Sequence, residues 1–168
     1  LPPFYPMTDM HADRVSLSHE NLASALMASG SIPLVMEGVS NIPGARPGVY
    51  RDGGLVDYHL DIPYGVAPDK LVLYPHFISR IIPGWLDKHL PWRSGHANLQ
   101  NVLLVYPAED FVKKLPGGKI PDRTDFKRWD DRERIANWKK CVDAARILGD
   151  EFADVVQSGR IREEVVPL

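Results

Sequence analysis

The sequence predicts an α/β fold, with a predominantly parallel sheet flanked by helices. Three observations lead there. Lys70-Leu71-Val72-Leu73-Tyr74-Pro75 and Asn101-Val102-Leu103-Leu104-Val105-Tyr106-Pro107 are continuous apolar runs, each stopped by Tyr-Pro. Short runs without polar alternation suit strands buried on both faces, as a parallel sheet covered by helices requires. Over residues 131–157, Ile135, Trp138, Val142, Ala145, Leu148, Phe152 and Val155 recur at steps of three or four among charged residues. That spacing predicts one long amphipathic helix, with Gly149 tolerated inside it.

The elements follow in order. Residues 1–14 carry no helical or strand period, and Leu1-Pro2-Pro3-Phe4-Tyr5-Pro6 reads as a start inside a longer protein. Ser18 is a good N-cap and Glu20 favours a first turn, so a short helix is predicted over 19–29. Leu22, Ala23, Leu26 and Met27 share its apolar face, and Gly30 suits the position past its end. Residues 32–37 form a short apolar extended piece. Pro43-Gly44 and Pro47-Gly48 predict two tight turns, because proline presets the second turn position and glycine supplies positive φ at the third. Val56, Tyr58, Leu60 and Ile62 then alternate with Asp57, His59 and Asp61, a period of two with one apolar and one polar face. An aromatic and basic stretch from Phe77 to Arg93 is interrupted by Pro83 and Pro91. Residues 115–121 read as a loop. It is not a phosphate loop, because Lys113 stands where that motif needs its first glycine and Ile120 replaces the Ser/Thr. Cys141 flanks the long helical stripe and is expected to be a small packed thiol.

The totals narrow the function classes. A chain of 168 residues is long enough for one ordinary domain with a real core. Its 44% apolar and 25% charged content is that of a soluble globular protein. A net charge of −2 gives no strong attraction for nucleic acid. The single cysteine rules out an internal disulfide framework and fits a reducing compartment such as the cytoplasm. No apolar run approaches the roughly 18 residues of a membrane-spanning helix. No repeat, low-complexity tract or interdomain linker is present, so residues 1–168 are read as one piece of a single domain.

The stretch Gly48-Val49-Tyr50-Arg51-Asp52-Gly53-Gly54 carries the main candidate for chemistry. A β-favouring run ends in a carboxylate with two glycines after it, so little side-chain bulk stands beside Asp52 and a substrate can come close. On local evidence alone, Asp-Gly between apolar residues is a common hairpin signal. An isolated aspartate is a poor base at neutral pH unless burial strengthens it or it is held against a nucleophile.

Two blocks change that balance. Asn21-Leu22, Leu26-Met27-Ala28-Ser29-Gly30-Ser31-Ile32-Pro33 and, after a short loop, Tyr50-Arg51-Asp52-Gly53-Gly54-Leu55-Val56-Asp57 stand in sequence. Together they resemble the C-terminal part of patatin-like phospholipase domains. There a helix ending in Ala-Ser-x-x-(Ile/Phe)-Pro leads into a strand closed by Asp-Gly-Gly or Asp-Gly-Ala. The resemblance covers about residues 8–62 and is softer across the Tyr-Pro runs and the C-terminal helix.

What it implies is a lipid acyl hydrolase, a phospholipase or esterase with a serine–aspartate dyad and no metal or other cofactor. Asp52 would take the proton of a serine as its hydroxyl attacks an ester carbonyl, with Gly53 and Gly54 keeping bulk away. The sequence departs from the family pattern in lacking Gly-x-Ser-x-Gly and a glycine-rich oxyanion loop. The nearest string, Gly38-Val39-Ser40-Asn41-Ile42, lacks the last glycine and is expected in a loop. The chain is therefore expected to be the later half of a catalytic domain and inactive alone. Its partner would be the missing N-terminal half, or another chain covering the exposed sheet. A smaller departure is Tyr58, where the family often has asparagine.

Other readings stay beside this one. Asp57, His59 and Asp61 alternate on one face and His76 follows, but a metal site wants about three converging ligands, so a hydrogen-bonded polar face is the plainer expectation. A Ser-His-Asp triad through His59 lacks a serine in an elbow context. Phe77, Trp85 and Trp92, set among Arg80, Lys88 and Arg93, suit a lipid–water interface and a peripheral place at a membrane; a packed loop is the alternative. A non-catalytic lipid-binding or protein-interaction module on the same scaffold is the second function class.

Overall fold

The computed structural model describes residues 11–95 and 98–167. The proline-rich opening falls outside the described residues. The architecture is mixed α/β, with helices and two small sheets. The chain groups into two compact units: one runs up to Tyr74 and takes in Ile78–Val105, the other holds Pro75–Phe77 and everything from Tyr106 onward.

The first unit opens with helix α1, Leu22–Ser29. Asn21, only 4% exposed, stands just before it. The Asn21 Oδ1 accepts from the Ser18 N–H at 2.8 Å, and its Nδ2 donates to the carbonyls of Ser16 and Pro43. One side chain thus ties the stretch before α1 to the turn at Pro43, while the predicted cap, Ser18, accepts the Glu20 N–H with its Oγ at 3.3 Å and the Leu22 N–H with its carbonyl at 3.0 Å. The face of α1 also differs from expectation. Asn21 and Ala28 are buried, while Leu22, Leu26 and Met27 are exposed. The inward face carries the small and hydrogen-bonding residues, because the segments packed there approach closely through Asn21.

Strand β1, Val39–Ser40, pairs antiparallel with β2, Val49–Tyr50, in the register Val39↔Tyr50 and Ser40↔Val49. The Pro43-Gly44 turn forms as predicted: Gly44 has φ +80° and the Ala45 N–H donates to the Ile42 carbonyl at 3.0 Å. Pro47-Gly48 does not make a second tight turn. Gly48 instead exchanges bonds with Asn41, its N–H donating to Oδ1 and its carbonyl accepting from the Asn41 N–H. Ser40 belongs to a strand, not to the expected loop.

A 3₁₀ turn at Gly53–Leu55 follows, and residues 56–62 are not a strand. Leu60 at φ +53° breaks the extended path there. The period-two pattern gives way to a fold in which His59 and Ile62, three apart, are both buried. Strands β3, Val72–Pro75, and β4, Val102–Val105, form a parallel pair. Among the described residues parallel pairing is confined to these two strands, and the other sheet is antiparallel. Neither Tyr-Pro strand is buried on both faces: β4 is half-buried and Leu73 of β3 is exposed. The core of the unit lies instead in Ile62, Ile81, Ile82 and Leu99.

The second unit is helical. Helix α2, Glu109–Lys114, runs into a 3₁₀ turn at Pro116–Gly118; α3, Asp125–Arg128, α4, Asp131–Gln157, and α5, Ile161–Glu164, complete it. Helix α4 has the predicted bounds. The Asp130 carboxylate caps it by accepting from the Glu133 N–H at 2.8 Å. Its inward face is rotated from the predicted stripe in the first half, where Arg134, Cys141 and half of Trp138 are covered while Ile135 and Val142 are exposed. The rotation has a local cause. The Arg134 guanidinium stacks on Phe126 at 4.0 Å, and the Trp138 indole N–H donates to Asp125 at 2.9 Å. These anchors turn the helix toward its polar edge. Cys141 is a buried free thiol, as expected, and burial pushes its pKa up.

Candidate functional site

Asp52 sits just past β2, where the extended chain turns into the 3₁₀ turn at Gly53–Leu55. Its Oδ1 accepts from the Gly54 N–H at 2.8 Å, so the carboxylate caps the turn that follows it. Its own N–H donates to the Ser31 carbonyl at 3.2 Å. Ser31 is fully buried, and its hydroxyl closes α1 by donating to the Met27 carbonyl at 2.7 Å. The two sequence blocks singled out above are therefore joined by a backbone hydrogen bond. The glycines differ in role. A methyl group at Gly54 would lie 3.1 Å from Asp52 Oδ1 and 3.1 Å from the Tyr58 ring, whereas at Gly53 it would meet nothing. Only Gly54 is needed for the close approach.

The aromatic and basic stretch packs behind this turn. The Tyr58 N–H donates to the Pro83 carbonyl at 2.7 Å, and a Cβ on Gly84 would come within 2.9 Å of the Leu55 carbonyl oxygen. Gly84 leads into a 3₁₀ helix at Trp85–His89, whose first turn is held by Asp87 accepting from the Gly84 N–H at 3.1 Å. The same carboxylate pairs with Arg93 at 3.0 Å. The Lys88 ammonium lies 4.1 Å from the Tyr58 ring and 5.3 Å from the Trp85 ring. Trp85 is consequently half-buried against a cation and does not stand free toward a lipid surface. Trp92 does, at 75% exposure. Phe77 is exposed, belongs to the second unit and stacks on His76.

His59 is a packed residue. It is 4% exposed, its Nδ1 accepts from the Ile82 N–H at 3.1 Å, and its ring stacks on Tyr58. Tyr74 donates to its carbonyl. Asp57 accepts from the Asp61 N–H and Asp61 from the Asn98 N–H, each at 3.0 Å, so both carboxylates staple loops. Burial, reinforced by Tyr74, Asp57 and Asp61, pushes the Tyr64 hydroxyl up to about 12. Among the described residues no group of three His, Cys, Asp or Glu could hold a metal ion. Among them also, no serine side chain is hydrogen-bonded to Asp52.

One cluster in the second unit was missed by sequence reasoning. Asp125, 1% exposed, is reached by Lys119 Nζ at 2.8 Å, by the Trp138 indole N–H and by the Asp122 N–H at 3.1 Å. Asp122 accepts from both the N–H and the hydroxyl of Thr124. The hydrogen bond from Lys119 holds Asp125 below the usual carboxylate range, and those from Thr124 and Lys119 hold Asp122 near about 2. Burial acts to lower the Lys119 pKa, but its bonds to Asp125 and Asp122 outweigh that and raise it. The Asp-x-x-Asp spacing ahead of α3 is the signal that could have exposed the cap. No protein-family model, curated protein or solved structure matches this chain.

Proposed function

We propose that this chain is the later part of a patatin-like acyl hydrolase domain and supplies the aspartate of a serine–aspartate dyad acting on lipid esters. The observation that carries the reading is the bond from the Asp52 N–H to the Ser31 carbonyl. It ties the Ala-Ser-x-x-Ile-Pro helix end to the Asp-Gly-Gly turn, so the two blocks of the resemblance act as one structural element.

The chemistry follows from the carboxylate. Oδ1 is committed to the Gly54 N–H, which fixes the orientation of Asp52. Oδ2 is the oxygen left to take a hydroxyl proton as a serine attacks an ester carbonyl. The protonated carboxyl would then give that proton to the departing alcohol as the acyl-serine forms. Restored as a carboxylate, it would take a proton from water as water attacks the acyl-serine and return it to the serine oxygen as the carboxylic acid leaves. The serine, its elbow and the oxyanion donors belong to a part of the parent protein outside these 168 residues. The chain alone is expected to hydrolyse p-nitrophenyl esters at background rate, and turnover above background would overturn the reading. In a parent protein carrying Gly-x-Ser-x-Gly upstream, Asp52→Asn is expected to abolish esterase activity with the fold intact by circular dichroism. Retained turnover would remove Asp52 from the dyad.

The exposed ring of Trp92, beside exposed Leu86 in the same stretch, favours a second reading: a lipid-binding module that keeps the scaffold without catalysis. The upstream sequence separates the two, because a nucleophile elbow belongs only to the hydrolase.

A further inference from the structure

The helical unit contains a cleft of about 620 Å³ between the end of α2 with its following turn and one face of α4. It is an open groove at the surface, and its volume is that of a small-ligand site. Glu133, Asn137, Lys140 and Ala144 line it at steps of four, three and four, so they form a single stripe of α4. Lys114 and Arg128 line it from the other side, and the Trp129 ring and Leu115 supply apolar wall.

Three features make this more than a solvated helix face. The first is charge: Lys114, Arg128 and Lys140 against Glu133 leave an excess of two positive charges in one concavity, on a chain whose net charge is −2. The second is that the cations are available. Among the described residues neither Lys114 nor Lys140 has a carboxylate partner, although Lys113, next to Lys114, has two. The third is preorganisation. The Arg128 guanidinium lies 5.0 Å from the Trp129 ring and donates to the Gly117 carbonyl at 3.4 Å, so it is held in place. Gly117, at φ +78°, lets the turn pass so close that a Cβ there would come within 2.9 Å of Arg128 and 3.0 Å of Trp129.

We propose that this cleft binds a phosphate monoester dianion carried on a small organic group. Arg128, Lys114 and Lys140 would hold the phosphate oxygens, and Trp129 with Leu115 would take the organic part. A dianion neutralises the local excess of charge, and a planar guanidinium suits its oxygens. The charge comes from side chains and not from a glycine-rich phosphate loop, in keeping with the absence of that motif at residues 113–120.

The test is a titration of the full chain, following the Trp129 indole resonance by NMR at constant ionic strength. Inorganic phosphate and glycerol 3-phosphate form one arm, and vesicles of phosphatidic acid in phosphatidylcholine form the other. The expected result is a saturable shift of Trp129 in at least one arm. Binding only to vesicles makes the ligand a lipid headgroup; binding to the soluble phosphates makes it a free metabolite. Lys140→Gln and Lys114→Gln are each expected to weaken binding about tenfold. Lys139→Gln, one residue along α4 and outside the cleft, should leave it unchanged. No saturable shift in either arm, equal displacement by chloride, or an equal loss in Lys139→Gln would overturn the site.

Discussion

Asp125 gathers a lysine six residues before it, an indole thirteen residues after it and a backbone N–H three residues before it on one buried carboxylate. Both Asp125 and Asp122 are held below the ordinary carboxylate value near 3.8, Asp122 at about 2. A carboxylate depressed by folding stabilises the fold above its unfolded value and loses that contribution as pH falls through its folded one. The helical unit is therefore expected to lose stability on acidification from near 3.8 toward about 2, with Trp138 fluorescence reporting the change. Asp125→Asn should be less stable at neutral pH and show a flatter stability curve over that window. Curves that fall in parallel for variant and parent would mean that the carboxylate does not govern the acid transition. The contrast with Asp52 explains what the sequence made legible. Asp52 caps a turn two residues away, so its role is written in adjacent letters. The partners of Asp125 come together only once α3 and α4 pack, and no local pattern announces Lys119 or Trp138.

At the scale of elements, the bounds of α4 were readable, those of α1 only at its end, and helix faces were not. Helix α4 starts and ends where composition and capping say it should, because length, period and an aspartate cap are local properties. Its rotation is decided by Arg134 on Phe126 and Trp138 on Asp125, which are tertiary contacts. The inward face of α1 is likewise chosen by Asn21 against the Leu22–Leu26–Met27 stripe. Residues 56–62 show the same limit: a period of two is real in the letters, but Leu60 at positive φ cancels it. Two glycines give opposite tests of this packing. At Gly149, in α4, an added Cβ meets nothing within 4 Å, so Gly149→Ala should stabilise the helix by about 0.5–1 kcal/mol. At Gly84, an added Cβ meets a backbone carbonyl at 2.9 Å, and Gly84→Ala should cost about 1–3 kcal/mol. Thermal unfolding of the two variants checks both signs. A neutral Gly84→Ala would mean that the Trp85–His89 helix does not press against the Asp52 turn.

Across the whole molecule the bulky apolar residues are distributed against the usual preference. Leu22, Leu26, Met27, Leu34, Val35, Leu86 and Trp92 are exposed in the first unit, where the buried side chains include Asn21, Ser31 and His59. Scattered exposed leucines need no explanation, but clustered ones mark surfaces that meet another apolar body. The segment around Trp92 carries an exposed indole and an exposed Leu86, while Lys88 lies over the Tyr58 ring, Arg93 pairs with Asp87 and Arg80 donates to the Leu90 and Lys88 carbonyls, so lipid contact would rest on the apolar side chains. Among the described residues no helix is long and apolar enough to cross a membrane. The chain is accordingly expected to co-sediment with liposomes. Trp92→Ser should reduce the bound fraction several-fold, because the ring is already in solvent and its loss leaves the fold untouched. Trp85→Ser should act differently. That ring is half-buried under Lys88 beside the Asp52 turn, so its removal lowers thermal stability before it changes lipid affinity. Unchanged co-sedimentation of Trp92→Ser would assign the exposed residues to a protein partner instead. Sedimentation velocity across a wide concentration range would then show whether that partner is a second copy of this chain.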